Sequence, residues 1–286
     1  MTRDAGLLLQ KQAMRLVLDP ARGGVVRELA WHGRPLLRPT EAAAGDDPFD
    51  TACFPMVPYV NRVANGRFEF GGRSVQLARN WSKDPHPLHG QGWRAPWTVV
   101  TASDTGATLR FEGGGDDWPW RYICEQQFQL LDEGLLVGLS IENAGETAMP
   151  AMLGLHPYFP DQADARLRAR LPRVWLTDAA VLPIEEVPTP AAWQFEPSRS
   201  VKTVALDNGF SGWDGQFRID WPDRWLTLEA QGCGFLHVYV PQARNFFCVE
   251  PQSAPPGALN RGAGEARSLN RGERFGILVR FEAGAS

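Results

Sequence analysis

The sequence predicts an all-β protein built as one large antiparallel β-sandwich. Three observations predict it. Runs of period-two hydrophobic alternation recur along the chain and meet at Gly-, Asp- or Pro-containing turns, the pattern of half-buried strands joined as hairpins. The chain has 29 glycines and 23 prolines in 286 residues, about 18% of the whole against an average of about 12%, and such an excess serves many turns. No long segment has the 3.6-residue period of an amphipathic helix, and a proline falls roughly every dozen residues, which interrupts helices.

The elements follow in chain order. Trp31-His32-Gly33-Arg34 reads as a hairpin turn. Phe68 and Phe70 precede Gly71-Gly72, and Val75 and Leu77 follow, which predicts a hairpin. Tyr122, Cys124, Phe128 and Leu130 share one parity, Asp132-Glu133-Gly134 turns, and Leu135, Val137, Leu139 and Ile141 return on one parity as a second hairpin. Asp161 to Arg170 is the best short helix candidate, and a polar one. Pro183 to Pro197 is rich in Pro and Glu and reads as a surface loop rather than a linker, because strand patterns continue on both sides of it. Phe235 to Val240 is a strand, Pro241 to Arg244 a turn, and Asn245 to Glu250 the partner strand. Phe275, Ile277, Val279 and Phe281 alternate as a last strand. No repeat of 20–50 residues is visible, so residues 1–286 are read as a single domain.

Composition bounds the function. A hydrophobic fraction of 43% and a charged fraction of 22% exclude a disordered or coiled-coil chain. A net charge of −4 lacks the basic excess of a nucleic-acid binder. Cys53, Cys124, Cys233 and Cys248 show no C-x-x-C spacing and read as reduced thiols. No stretch of about 18 apolar residues predicts a membrane helix, and Met1 to Gly6 lacks the basic-then-apolar run of a signal peptide. The expectation is a cytoplasmic protein, monomer or homodimer, that handles a small molecule without nucleic acid or membrane.

Five histidines supply the residue type best suited to proton transfer near neutral pH. His89 lies in Asp84-Pro85-His86-Pro87-Leu88-His89-Gly90-Gln91-Gly92-Trp93, where prolines stiffen the chain and glycines allow close approach. His156 lies in Gly154-Leu155-His156-Pro157-Tyr158-Phe159. Each suits either catalysis or the capping of a turn. His86-x-x-His89 is a poor metal pair, since Pro87 breaks helical geometry and no third ligand is near in sequence; no metal is expected. His237 alternates with Phe235 and Tyr239 and reads as a wall residue. Glu250 ends the apolar run Asn245 to Val249 and reads either as an exposed strand-end carboxylate or as a partly buried one, whose raised pKa would suit it to act as a general base. Eleven tryptophans suit both core packing and sugar stacking; Trp81 and Trp93 bracket His89, and Trp213 follows Asp207-Asn208-Gly209. No G-x-G-x-x-G, phosphate loop or G-x-S-x-G is present.

Five segments in register resemble the aldose 1-epimerase (galactose mutarotase) family. They are Asn61-Arg62-Val63-Ala64-Asn65-Gly66-Arg67-Phe68, Leu88-His89-Gly90 with Asn80 upstream, His156-Pro157-Tyr158-Phe159, Leu206-Asp207-Asn208-Gly209-Phe210, and Cys248-Val249-Glu250-Pro251-Gln252 with Asn260 beyond. The order and spacing agree from about residue 14 to 281. The resemblance implies the galactose mutarotase-like supersandwich, no cofactor, no metal, and an isomerase that interconverts the α and β anomers of a free aldose. It implies Glu250 as the base at the anomeric hydroxyl and His156 as the acid at the ring oxygen. It also implies Arg62, His89, Asp207 and Asn61 as substrate-binding residues. Pro87 stands where many members have Asn, and Pro255-Pro256-Gly257 replaces a Pro-Asp segment; both leave the acid–base pair untouched. A hexose-phosphate mutarotase, with Arg94 or Arg121 serving the phosphate, and a non-catalytic sugar-binding protein are the alternatives.

Overall fold

A computed structural model describes residues 6–41, 47–160, 163–262 and 264–286. Two large antiparallel sheets form it, one of eleven strands and one of nine. The main path of the larger sheet runs Leu7–Lys11, Met14–Asp19, Val25–Trp31, Cys53–Met56, Gly154–Pro160, Phe246–Gln252, Phe235–Val240, Leu206–Ser211, Arg173–Thr177, Pro183–Pro188. The smaller sheet contains the hairpin Tyr122–Leu130 with Gly134–Asn143, paired in turn to the last strand, Arg274–Gly284. Among the described residues no helix is long and apolar enough to cross a membrane.

The hairpins expected from alternation form where the pattern places them. Tyr122–Leu130 buries every second residue, so one face is core and the other is solvated. Phe68 and Phe70 pair across Gly71-Gly72 with Val75 and Arg73. Two expectations fail. The helix candidate from Asp161 to Arg170 contains instead the strand Arg166–Ala169, while Asp161 and Gln162 lie outside the described residues. Arg166 and Arg168 are exposed and Leu167 and Ala169 buried. That is period two, and the pairing edges on both sides draw the segment into the sheet. Pro183 to Pro197 is not a loop. It holds Pro183–Pro188 at the edge of the larger sheet and starts Phe195–Ser200 at the edge of the smaller one. Edge strands tolerate Pro and need charge to discourage further pairing, so an edge composition resembles a loop composition.

The central strand Gly154–Pro160 is buried at all seven positions. A strand of a simple two-layer sandwich would alternate, so both of its faces are covered. On one face Leu155, Val26 and Cys53 meet Phe128, Leu135, Val137 and Phe281 of the other sheet around a small apolar void. The opposite face is roofed by the segments around Phe49, Asn61 and His89, and the candidate site lies there.

Candidate active site

Four adjacent strands supply the floor. Register places Gly154 opposite Gln252 and Tyr158 opposite Cys248, which sets His156 across from Glu250. Glu250 in turn pairs with His237, and Asp207 lies one strand further, opposite Tyr239. Their side chains share one face because residues two apart on a strand point the same way.

Two loops form the wall. They are clasped by backbone bonds from Val57 N–H to His89 C=O, His89 N–H to Asn61 C=O, and Val63 N–H to Pro87 C=O. Gly90 has φ +75, and a Cβ there would meet the Val57 carbonyl oxygen at 2.1 Å, so only glycine permits the clasp. Asn80 locks the loop. Its amide nitrogen donates to the Leu88 and Gly90 carbonyls at 2.7 and 3.0 Å, and its oxygen accepts from Leu88 N–H at 3.0 Å. Asn260 does the same for the next turn, accepting from Ala64 N–H and donating to the Arg67 carbonyl. These two matched asparagines are structural clamps.

The cavity has a volume of about 160 Å³. Its polar lining is Asn61, Arg62, His89, His156, Asp207, His237 and Glu250, with Phe49, Trp81, Leu88 and Tyr239 as the apolar part. All six residues expected from the sequence therefore converge. Phe49 and Trp81 stack at 4.3 Å between ring centroids and offer an aromatic wall. Arg38 fixes that wall by donating to the Phe49 and Thr51 carbonyls. Trp93 lies beneath the floor of the loop, donating to the Gly90 carbonyl, and Trp213 packs on Phe217 away from the cavity.

His156 Nε2 lies 3.3 Å from Glu250 Oε1, and both residues are buried. Nδ1 of His156 is buried with no hydrogen-bond partner, which leaves Nε2 as the nitrogen facing proton exchange. The ring is stacked between Phe54 at 4.4 Å and Tyr158 at 4.7 Å. Burial, with the nearby His237, pulls the His156 pKa down to about 3. Burial pushes Glu250 up to about 7, against the opposing pull of His237. Between about pH 3 and 7 the pair therefore holds one proton, and it rests on Glu250.

His89 is kept neutral by burial and by the neighbouring His156 and Arg62. Arg62 Nε donates to Asp84 Oδ2 at 2.8 Å, and Asp84 Oδ1 accepts from His86 N–H, so the guanidinium is aimed by a buried carboxylate. His237 Nε2 meets Asp207 Oδ1 at 2.8 Å. Burial would raise Asp207, but the His237 hydrogen bond, with His237 and Arg62 nearby, holds it below the usual carboxylate range.

The sequence reading missed three contributors. His237 is the wall residue expected, but its hold on Asp207 went unread; its strand parity with Glu250 across the pairing was the available signal. Asp84 aims Arg62, and the Asp-Pro-His spacing that lets a carboxylate cap a turn was visible. Phe49 had no local signal, because only the fold brings it to His156. Asn61 lines the cavity as expected, but its carboxamide is already engaged by Arg62 N–H and His237.

Metal-ligand chemistry among the described residues converges on His156, Cys248 and Glu250, with donor atoms within 4.8 Å of one another. Burial holds the Cys248 thiol protonated, far above its usual range. His86 and His89 both use Nδ1 to accept backbone N–H groups, from Asn65 and Asn61. A larger groove of about 670 Å³ lies on the other side of the His89 loop, with Arg94 and Arg79 in its lining but no acid–base pair. Arg94 thus faces away from the cavity, and Arg121 is exposed elsewhere.

The sequence model of the aldose 1-epimerase family matches residues 7–282. The chain is 35% identical over 261 residues to the uncharacterised protein YphB of Escherichia coli (strain K12), covering 87% of this chain and 89% of that one. It is 26% identical over 187 residues to an aldose 1-epimerase of the same organism, covering 62% of this chain and 52% of that enzyme. A solved structure from Escherichia coli K12, described there as a candidate aldose 1-epimerase, superposes with a TM-score of 0.92 at 30% identity over 98% of this chain and 99% of that one. A galactose mutarotase-like protein from Clostridium acetobutylicum shares the fold with a TM-score of 0.88 at 17% identity, over 98% and 95% of the two chains. The chain belongs to the aldose 1-epimerase family.

Proposed function

We propose that the protein is an aldose 1-epimerase that interconverts the anomers of a free, uncharged aldose. The observation that supports this most is the buried His156–Glu250 pair, 3.3 Å apart, on the floor of a monosaccharide-sized cavity. Mutarotation needs a base at O1 and an acid at the ring oxygen, and such a pair supplies both. Sugar binding moves the shared proton to His156. Glu250 then takes the proton from O1–H, the O1 electron pair closes to C1=O1, and the C1–O5 bond breaks as His156 Nε2 gives its proton to O5. The open aldehyde turns about C1–C2 and recloses on its other face with the two roles reversed. No proton is gained or lost over the cycle.

His89 and Arg62 donate to the sugar and to the oxygen on which charge develops, and Asp207 accepts from ring hydroxyls. Trp81 and Phe49 face the C–H side of the ring. The charge of the lining favours an uncharged sugar. Asp207 and Glu250 are acidic, and the one arginine is ion-paired to Asp84. A phosphate would enter without a free cation to meet it, which counts against the hexose-phosphate reading.

Exchange NMR between the α and β anomeric protons of glucose, galactose and arabinose tests the proposal. Enzyme-dependent exchange cross-peaks for at least one sugar support it. Saturable binding of a sugar with no added exchange would instead make the protein a sugar-binding member of the family.

A further inference from the structure

Three imidazoles line the cavity, and what each offers a ligand depends on which nitrogen holds the proton. The hydrogen bonds fix this for two of them. Arg62 N–H donates to Asn61 Oδ1 at 2.8 Å, which orients the carboxamide. Its Nδ2 therefore faces His237 Nδ1, at 3.2 Å. An amide nitrogen donates and does not accept, so His237 Nδ1 must be bare. The ring proton then sits on Nε2, 2.8 Å from Asp207 Oδ1, and donates to it. Meanwhile the backbone N–H of the same Asn61 donates to His89 Nδ1 at 3.3 Å. That nitrogen must also be bare, which puts the His89 proton on Nε2. Asn61 sits at φ +58, a left-handed conformation that Asn tolerates better than most residues.

We propose that Asn61 is a positioning residue that sets the tautomers of His89 and His237 together, one through its backbone and one through its side chain. Both rings then present Nε2–H. His89 offers it to an oxygen of the sugar, and His237 spends it holding Asp207 as an oriented acceptor. The roles of these protons rest on the sugar-site reading, whereas their positions do not. The arrangement works against local charge. His237 faces Asp207 from one neighbouring strand and Glu250 from the other, with Arg62, His89 and His156 around it. Burial favours the neutral His237 ring, whereas Asp207 and ionised Glu250 favour a second proton and raise its pKa. The Asn61 amide opposes that proton by placing a donor where it would go.

Long-range 1H–15N NMR of the imidazoles, followed from pH 7 upward to the neutral ring forms, tests this directly. The neutral rings of the wild type are expected to show Nε2–H with bare Nδ1 at both His89 and His237. Asn61→Asp replaces the amide nitrogen by an acceptor of equal size and leaves the backbone N–H in place. It is expected to convert His237 to the doubly protonated form, leave the His89 tautomer unchanged, and lower kcat/KM for anomerisation by about 10–100-fold. His237→Gln, whose amide can accept from Asn61 and donate to Asp207, is expected to keep more activity than His237→Leu. A neutral Nδ1–H tautomer on either ring of the wild type, or an unchanged His237 signature in Asn61→Asp, would overturn the proposal. These signatures are read without any turnover, so a protein that fails to anomerise sugars can still show them.

Discussion

Leu155 and His156 are neighbours in one strand and live in opposite environments. Leu155 points between the sheets into an apolar layer with Phe128, Val137 and Phe281. His156 points to the other face, among Glu250, His89 and His237. Both are buried, to 2% and 5% exposure, so burial alone does not separate them. What separates them is the covering. The inner face is sealed by a second sheet whose side chains are apolar. The outer face is roofed by loops that leave a cavity and bring polar groups with their backbone bonds already made. The same removal from water that stabilises Leu155 shifts the acid–base pair from its usual protonation. One face of the sheet thus uses dehydration for stability and the other, on the proposed function, for chemistry.

The contrast can be broken most strongly on the polar face. His156→Gln is expected to cut kcat by about 10²–10⁴-fold, the worth of a general acid, with little change in unfolding midpoint. A loss under tenfold would move the acid elsewhere. On the apolar face, Leu155→Ala is expected to lose about 2–5 kcal/mol in denaturant unfolding, with kcat per folded molecule nearly unchanged. A large kcat loss there would show that the two faces are coupled.

The pH dependence sharpens the comparison. On the proposed mechanism the pair works with one proton, and in the free protein that proton is lost as pH rises through about 7. The ratio kcat/KM is therefore expected to fall about tenfold per pH unit above about 7 and to stay level down towards the lower pKa of about 3, unless the fold fails first. A rise through pH 7 would mean that Glu250 acts without the His156 proton. The smallest effect concerns stability. Glu250 is held above the usual 4.5 in the folded state, so between about pH 4.5 and 7 the native state binds more protons than the unfolded state. Stability from this group therefore falls as pH rises across that window. Glu250→Gln removes the slope and is expected to be more stable than wild type at pH 8 by on the order of 1–3 kcal/mol. Equal stability at pH 5 and pH 8, relative to wild type, would contradict the burial argument.

Much of this was legible in the sequence, for physical reasons that can be named. Tyr122 to Ile141 announced a hairpin because one face of those strands is solvated, and alternation records that difference. The strand around His156 gave no alternation because both of its faces are covered. It was found only through its motif. Glu250 was readable as a desolvated carboxylate from the apolar run before it. Pro183–Pro188 was misread because an edge strand and a loop share the same composition. His237 was readable as a wall residue but not as the partner of Asp207, because strand parity tells which residues share a face and not which side chains meet there. Phe49 and Asp84 act through contacts with residues far along the chain, and only the clasp of loops brings them into place.

The most direct test of the central claim is polarimetry on freshly dissolved α-D-glucose, α-D-galactose and L-arabinose, with wild type and Glu250→Gln side by side and the spontaneous rate subtracted. The account predicts acceleration by the wild type for at least one sugar and its loss in the variant, with the fold intact by circular dichroism. Equal acceleration by both proteins would contradict it, because the proton would then be leaving O1 by a route that does not pass through Glu250.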